Sequence, residues 1–400
     1  MNGGASAVQR HNFIGSLTGL RYVAAVAVVI GHGAPSLRDD WLAQLVAQIS
    51  SIGMTLFFVL SGFVLWLNYA AGFQDRPLSV TLREFAIARF ARLYPMYAVV
   101  VFVIVGWLTI RRGAGAPSLG FILTMTQAWF PVLDGAMLVA VVPPLEHLWS
   151  ISVELFFYLL FPFACLLLTE VDRLRTRLLL SLLNLVVFAV TIYAFFRFGE
   201  PLLQIAAPSL TDHAMQWLTY YSPYLHVSQF LAGCIAGMIY TKLSGVPIGD
   251  RERRGVTALF WLSVAGLAVA PVALYFQPRL PIGSFWIELG IRLDEVVAFS
   301  VIMIAASRHG LARFLASRAL ILGGECSYSI YLLHPFLIRL AMVGKSETPP
   351  LPEFLFRLIL FVAIATAVAA VTYAVIEVPS RSWIRRVFGT SAPREVLRTA

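Results

Sequence analysis

Apolar residues along this chain come in long runs rather than in strand-like alternation. The runs fall at 18–34, 50–69, 94–111, 147–168, 178–197, 225–241, 256–276, 290–307, 326–343 and 354–376, separated by short polar stretches. About 20 apolar residues suffice for an α-helix to cross hydrocarbon. The pattern therefore predicts an all-α, polytopic transmembrane bundle of about ten spans, with both termini on one side. Loop charge orients it. The loops around 71–93, 170–177, 242–254 and 308–318, with the two tails and Arg21, hold about 21 of the 30 basic residues. The opposite loops and helix ends hold about 9. This asymmetry puts both termini in the cytoplasm.

The expected organisation is a polar tail over 1–16, one membrane domain over 17–385 and a basic cytoplasmic tail over 386–400. No small-residue cleavage site follows the first run, which reads as an uncleaved signal-anchor. The longest connection, 112–146, carries Gly, Pro and the aromatic residues Phe121, Trp129 and Phe130. It could hold a re-entrant or interfacial helix at the outer face.

Composition narrows the function classes. Apolar residues make up 59% of the chain and charged residues 13%, with a mean hydropathy of +0.80, which excludes a soluble domain. The net charge of +9 resides in short loops between spans, so it implies no nucleic-acid partner. Cys165, Cys234 and Cys326 lie inside apolar runs at spacings that suggest no metal site, and read as small core residues.

Against this background a few polar residues stand out. Arg21 and His32 share the first span at i, i+11. On a helix that is roughly 16 Å along the axis and within about 20° of one face. Each costs on the order of 2–3 kcal/mol in hydrocarbon, so a cation at one end and a proton-transfer group at the other point to a site. In FAIARFARLYP, Arg89 and Arg92 at i, i+3 form a fork suited to phosphate oxygens, and Pro95 fits a helix break beyond them. In HLWSISVELFFYLLFP, His147 and Glu154 share a face about 10 Å apart. Glu154 is expected to pair with His32 and orient it, or else to bond to backbone or Trp149. Tyr328, Tyr331 and His334 follow at i, i+3, i+6 in the ninth run, where packing is the plainer reading, and with His147 and Trp149 they are candidates for a substrate cavity. Glu377 is expected to pair with a loop arginine. Asp294 and Glu295 are further candidates for the cavity wall.

The segments LTGLRYVAAVAVVIGHG, GMTLFFVLSGFVL, RFARLYPMY, HLWSISVELFFYLLFP, CSYSIYLLHP and IEVPSRSW resemble, in order and spacing, the membrane acyltransferase-3 family, over roughly residues 16–385. The resemblance implies a ten-helix bacterial inner-membrane protein. It would move an acyl group, usually acetyl, from cytoplasmic acyl-CoA to a hydroxyl of a cell-envelope glycan or other glycosylated acceptor. By motif it implies Arg21, Arg89 and Arg92 as the donor-binding cations, and His32 with Glu154 as the catalytic pair. Acyl-CoA would be a donor substrate, with no permanently bound cofactor and no metal. Membrane lipid and a glycan or glycolipid acceptor would be partners; a homo-oligomer or a glycan-assembly partner stays open. So does the choice between direct transfer and an acyl-histidine intermediate. The chain departs from the family at Thr18, where many members have Asp, at EVPSRSW, and at Glu325. The rival class is a proton-coupled transporter or flippase of an anionic or lipid-linked sugar. Its marker, broken spans recurring in two halves, is missing from the sequence.

Overall fold

The computed structural model describes residues 14–33, 40–112, 119–134, 137–138, 140, 146–168, 171, 174–206, 211–243, 261, 265, 302, 310–342 and 350–389. The seventh and eighth runs, with Asp294 and Glu295, lie almost wholly outside the described residues, as do most of the two tails. The other eight runs each overlay a helix. These are α1 (Gly15–Gly33), α2 (Asp40–Asp75), α3 (Leu78–Arg112), α5 (Trp149–Leu168), α6 (Leu174–Ala194), α9 (Pro223–Leu243), α12 (Ser327–Met342) and α13 (Leu351–Thr372). Short helices complete the set: α4 (Leu119–Leu123), α7 (Glu200–Ala206), α8 (Thr211–Gln216), α10 (Gly310–Leu315), α11 (Arg318–Glu325) and α14 (Val378–Val387). Among the described residues, five stretches are long and apolar enough to cross a membrane: Gly15–His32, Ile49–Asp75, Leu78–Val103, Glu146–Leu168 and Pro352–Val387. Large apolar side chains on the outer faces of α6 and α13, such as Leu182, Val190, Phe356 and Ile359, are exposed. That surface suits lipid and not water; the molecule is an integral membrane protein.

Helix α2 is the central post, packed on α1 along one side and α9 along the other. Gly62 and Gly233 set how close α2 and α9 come. A Cβ on Gly62 would lie 2.1 Å from the Phe230 carbonyl oxygen, and one on Gly233 would lie 2.0 Å from that of Val59. The helices thus touch backbone to backbone, as small residues permit within a membrane. Aromatic rings fill the adjoining space: Phe157 stacks on Phe230 at 4.7 Å, and Phe58 meets Phe157 edge-on at 5.4 Å.

One expectation about chain path needs correction. Pro95 does not break the third helix, which runs unbroken from Leu78 to Arg112. Neighbours hold it through that point: the Tyr328 hydroxyl donates to the Leu93 carbonyl at 2.8 Å, and Tyr97 donates to the Ile122 carbonyl at 2.5 Å. In its described part the connection 112–146 holds the short helix α4. Helix α4 is followed by turns and a two-residue hairpin, β1 (Leu133–Asp134) against β2 (Met137–Leu138). This segment folds back onto α5, where Gln127 donates to the Leu148 carbonyl and Trp129 Nε1 to the Ser152 carbonyl. The exit from α13 is a π turn over Tyr373–Glu377, which leads directly into α14.

Candidate active site

Ionisable side chains gather at two levels of the bundle, spanned by α1. At the first level, Arg89 on α3 donates to the Tyr69 hydroxyl at 2.7 Å, and its guanidinium lies 4.9 Å from the Tyr69 ring centre and 5.6 Å from that of Tyr158. The Tyr158 hydroxyl donates to Glu154 at 2.5 Å. One turn along α3, Arg92 sits 5.7 Å from the Tyr328 ring and 3.6 Å from a Glu377 oxygen. The two arginines therefore occupy neighbouring cradles, each tyrosine-lined, rather than one shared fork. Glu377 is 2% exposed and accepts from Ser329 at 2.5 Å and from Arg381 at 3.0 Å. The arginine expected as its partner is thus not in a loop: Arg381 on α14 is nearest at 3.0 Å, and Arg92 on α3 follows at 3.6 Å. Arg21, on α1, lies within electrostatic range of Arg89, Arg92, Glu154 and Tyr158. Among the described residues its side chain has no hydrogen-bond or ion-pair partner, and four guanidiniums, Arg381 included, share this level with two carboxylates.

At the second level, at the far end of α1, three histidines meet. The His32 and His334 rings are 4.7 Å apart, with Nδ1 of the first 3.4 Å from Nε2 of the second. His147 lies 5.8 Å from His334, ring to ring, and its Nε2 is 3.2 Å from the Leu332 carbonyl. His147 and His334 are buried, whereas His32 is exposed. Tyr331 links the level to α5: its hydroxyl accepts from Ser150 at 2.5 Å and donates to the His147 carbonyl at 2.7 Å. Arg339 and Glu146 form an ion pair beside this level.

The expected pairing of Glu154 with His32 is not what the structure contains. Glu154 bonds to Tyr158 and faces the arginines, and no hydrogen bond joins it to His32. The i, i+7 spacing on α5 gives the reason. His147 reaches the histidine level, so Glu154, about 10 Å further along the axis, must fall at the arginine level. His334, read mainly as packing, is instead the side chain that meets His32. Of the remaining cavity candidates, Tyr328 belongs to the arginine level and Tyr331 to the histidine level. Trp149 stands in an aromatic box with Tyr220, Tyr221 and His226 at 5.3, 5.6 and 5.5 Å. Burial, followed by Tyr220 and Glu146, pushes the Tyr221 hydroxyl up to about 12, so it stays protonated at physiological pH. Sequence reading missed Tyr69, Tyr158, Ser329 and His226. Tyr158 was findable, since it lies four residues after Glu154 on one helix face; the others meet their partners only through tertiary packing.

With this geometry in hand, comparison with known proteins decides the family. Residues 14–373 match the acyltransferase-3 family, described as an acyltransferase domain. The chain belongs to that family. Among relatives within reach of this acyltransferase-3 chain, the peptidoglycan O-acetyltransferase OatA of Listeria monocytogenes is 26% identical over 389 residues, covering 92% of this chain and 56% of the relative. The putative peptidoglycan O-acetyltransferase YrhL of Bacillus subtilis is 25% identical over 95% of this chain and 57% of its own length. The acyltransferase MdmB of Streptomyces mycarofaciens is 29% identical over 81% of this chain and 79% of its own length. The chain thus spans little more than half the length of the first two. No solved structure matches it.

Proposed function

We propose that this chain transfers an acyl group, acetyl in the first instance, from cytoplasmic acyl-CoA to a hydroxyl of a cell-envelope glycan on the outer side of the membrane. The observation that carries the reading is the pairing of two levels along one helix. Three guanidiniums, Arg21, Arg89 and Arg92, stand at one end of α1, and a histidine presented on a bundle-buried partner stands at the other. Acyl-CoA has the complementary form, a polyanionic head and a long thin arm ending in a thioester. Arginine is the side chain best suited to phosphate oxygens, and among the described residues Arg21 has no hydrogen-bond or ion-pair partner that a phosphate would have to displace. The arm would follow α1 toward His32, roughly 16 Å away along the axis. The names of the Listeria and Bacillus relatives favour a cell-wall glycan as acceptor.

In this reading His32 is the general base. The acceptor hydroxyl gives its proton to the imidazole as its oxygen bonds to the thioester carbon. The C–S bond then breaks, and the imidazolium returns the proton to the departing thiolate, leaving an O-acyl ester and CoA. Glu154, held by Tyr158, balances the arginine charge instead of orienting the imidazole. The test is a single-pot assay: purified full chain in detergent, radiolabelled acetyl-CoA and chitotetraose or muropeptides as acceptor, wild type beside His32→Gln. Labelled ester is expected from wild type and a loss of about 10²–10⁴-fold from the variant, the usual span for a general base. Equal rates would reduce His32 to a structural role. No ester from wild type with any glycan would favour the transporter class.

A further inference from the structure

The LLHP sequence in α12 places a histidine immediately before a proline, and the structure makes use of both. Pro335 has no N–H, so the carbonyl four residues earlier, that of Tyr331, lacks its helical donor. His334 Nδ1 lies 2.7 Å from that oxygen, with the side chain fully buried, and faces the Ile330 carbonyl as well. A carbonyl only accepts, so Nδ1 carries the hydrogen and the lone pair of the neutral ring sits on Nε2. That lone pair faces His32 Nδ1 at 3.4 Å. His32 Nδ1 also lies 2.9 Å from the Val28 carbonyl, a second obligate acceptor. Its hydrogen is thus on Nδ1, between two acceptors, and His32 Nε2 is bare.

We infer that His334 is a positioning residue for His32: together with the Val28 carbonyl it holds the tautomer that leaves Nε2 free to take the acceptor's proton, and it shares the charge of the imidazolium that results. This rests on the reading of His32 as general base. In serine-protease triads a carboxylate has that task. Here a neutral imidazole has it, which introduces no second ion into an apolar bundle. The Nδ1–H of His334 stays hydrogen-bonded to the Tyr331 carbonyl throughout, so His334 neither gains nor loses a proton during turnover. The other groups at this level are consistent with that. His147 directs Nε2 to the Leu332 carbonyl, Tyr331 is tied to Ser150 and the His147 backbone, and Arg339 is neutralised by Glu146.

The test uses the full chain in nanodiscs with ¹⁵N-labelled histidine. The His32 ring signals are identified by their loss in His32→Gln. Wild type should show a protonated Nδ1 and a bare Nε2. In His334→Asn, whose short amide can satisfy Tyr331 but not reach His32, the two forms should mix. In Pro335→Ala the restored N–H competes for the Tyr331 carbonyl and the same mixing is expected. Alanine is the better helix former, so that variant keeps the fold. With acetyl-CoA and chitotetraose, both variants should lose roughly 10–100-fold in kcat, by analogy with the loss when the orienting partner of a metal-ligating histidine is removed, with KM for acetyl-CoA unchanged. His334→Gln, which can place an oxygen where Nε2 was, should recover most of the rate. Unaltered His32 signals in His334→Asn and Pro335→Ala overturn the inference alone, whatever the rates. Undiminished transfer by His32→Gln overturns the general base, and His334's role with it.

Discussion

Glu377 offers the sharpest test of the packing beneath the arginine level. It is 2% exposed and accepts from Ser329 at 2.5 Å and Arg381 at 3.0 Å, with Arg92 at 3.6 Å. Glu377→Ala removes two hydrogen bonds to an ionised group, each contributing about 1.5–3 kcal/mol. It also leaves Arg381, whose side chain is 9% exposed, as a buried cation without its nearest counterion. Breaking a buried pair from one side costs about 3–5 kcal/mol, which agrees with the sum. Glu377→Gln keeps one acceptor oxygen and should lose about half as much. Arg92→Gln should lose about 0–1 kcal/mol, because that pair is longer and the arginine is 20% exposed. For a chain of 400 residues, 1 kcal/mol moves the midpoint by about 1 °C. The three buried free cysteines, Cys165, Cys234 and Cys326, report unfolding through a thiol-reactive dye in detergent. Expected shifts are about 3–5 °C for Glu377→Ala and at most about 1 °C for Arg92→Gln. If Glu377→Ala melts with wild type, or Arg92→Gln falls as far as Glu377→Ala, the assignment of Arg381 as the principal partner is wrong.

Three further predictions follow from other parts of the bundle. Gly233→Ala drives a methyl to 2.0 Å from the Val59 carbonyl and should destabilise by about 1–3 kcal/mol or more; Gly120→Ala, with nothing within 4 Å of its Cβ, should melt like wild type in the same assay. Replacing Arg89 and Arg92 together by Gln should raise KM for acetyl-CoA by about tenfold or more per side chain, and Lys at both positions should restore only part, since an ammonium cannot stack on Tyr69 and Tyr328 as a planar guanidinium does; an unchanged KM would leave both arginines as membrane anchors. In a cysteine-free background, Tyr220→Cys should react with an impermeant maleimide in intact cells and Arg76→Cys should not, and the reverse pattern would turn the proposed orientation over.

Most of the helical framework was legible because spanning a bilayer demands long apolar runs, and those survive any tertiary arrangement. The limits of each helix were less so. Residues 40–49 extend α2 although DWLAQLVAQI is too polar for a hydropathy window to include. Pro95 signals a break by local rules, yet bonds from Tyr328 and Tyr97 hold α3 together around it. The arginines and His32 were visible as ions in the wrong solvent, which is a property of sequence. Their partners were not: Glu154 and His334 are both polar residues in apolar helices, and only the relative heights of α1, α5 and α12 decide which one meets His32. The histidine–proline pair carried a usable signal, since a proline in a buried helix always leaves one carbonyl to be accounted for.

The π turn at Tyr373–Glu377 has an evolutionary and practical corollary. Such a turn accommodates one residue more than a regular α-helical turn and is, in effect, an insertion retained inside a helix. Deleting a single residue there would let the helix wind regularly with the residues beyond kept near their present faces, whereas a deletion in the regular turns before it would rotate everything beyond by about 100°. In the latter case Glu377 and Arg381 would keep each other but swing away from Ser329 and Arg92, and the buried stripe of α14, Arg381 and Ile384, would turn outward. A one-residue deletion is therefore better tolerated at this turn than in the regular helix before it. When this region is aligned with other sequences, a gap of one belongs at the turn; shifting it elsewhere would mismatch the ends of two otherwise similar chains.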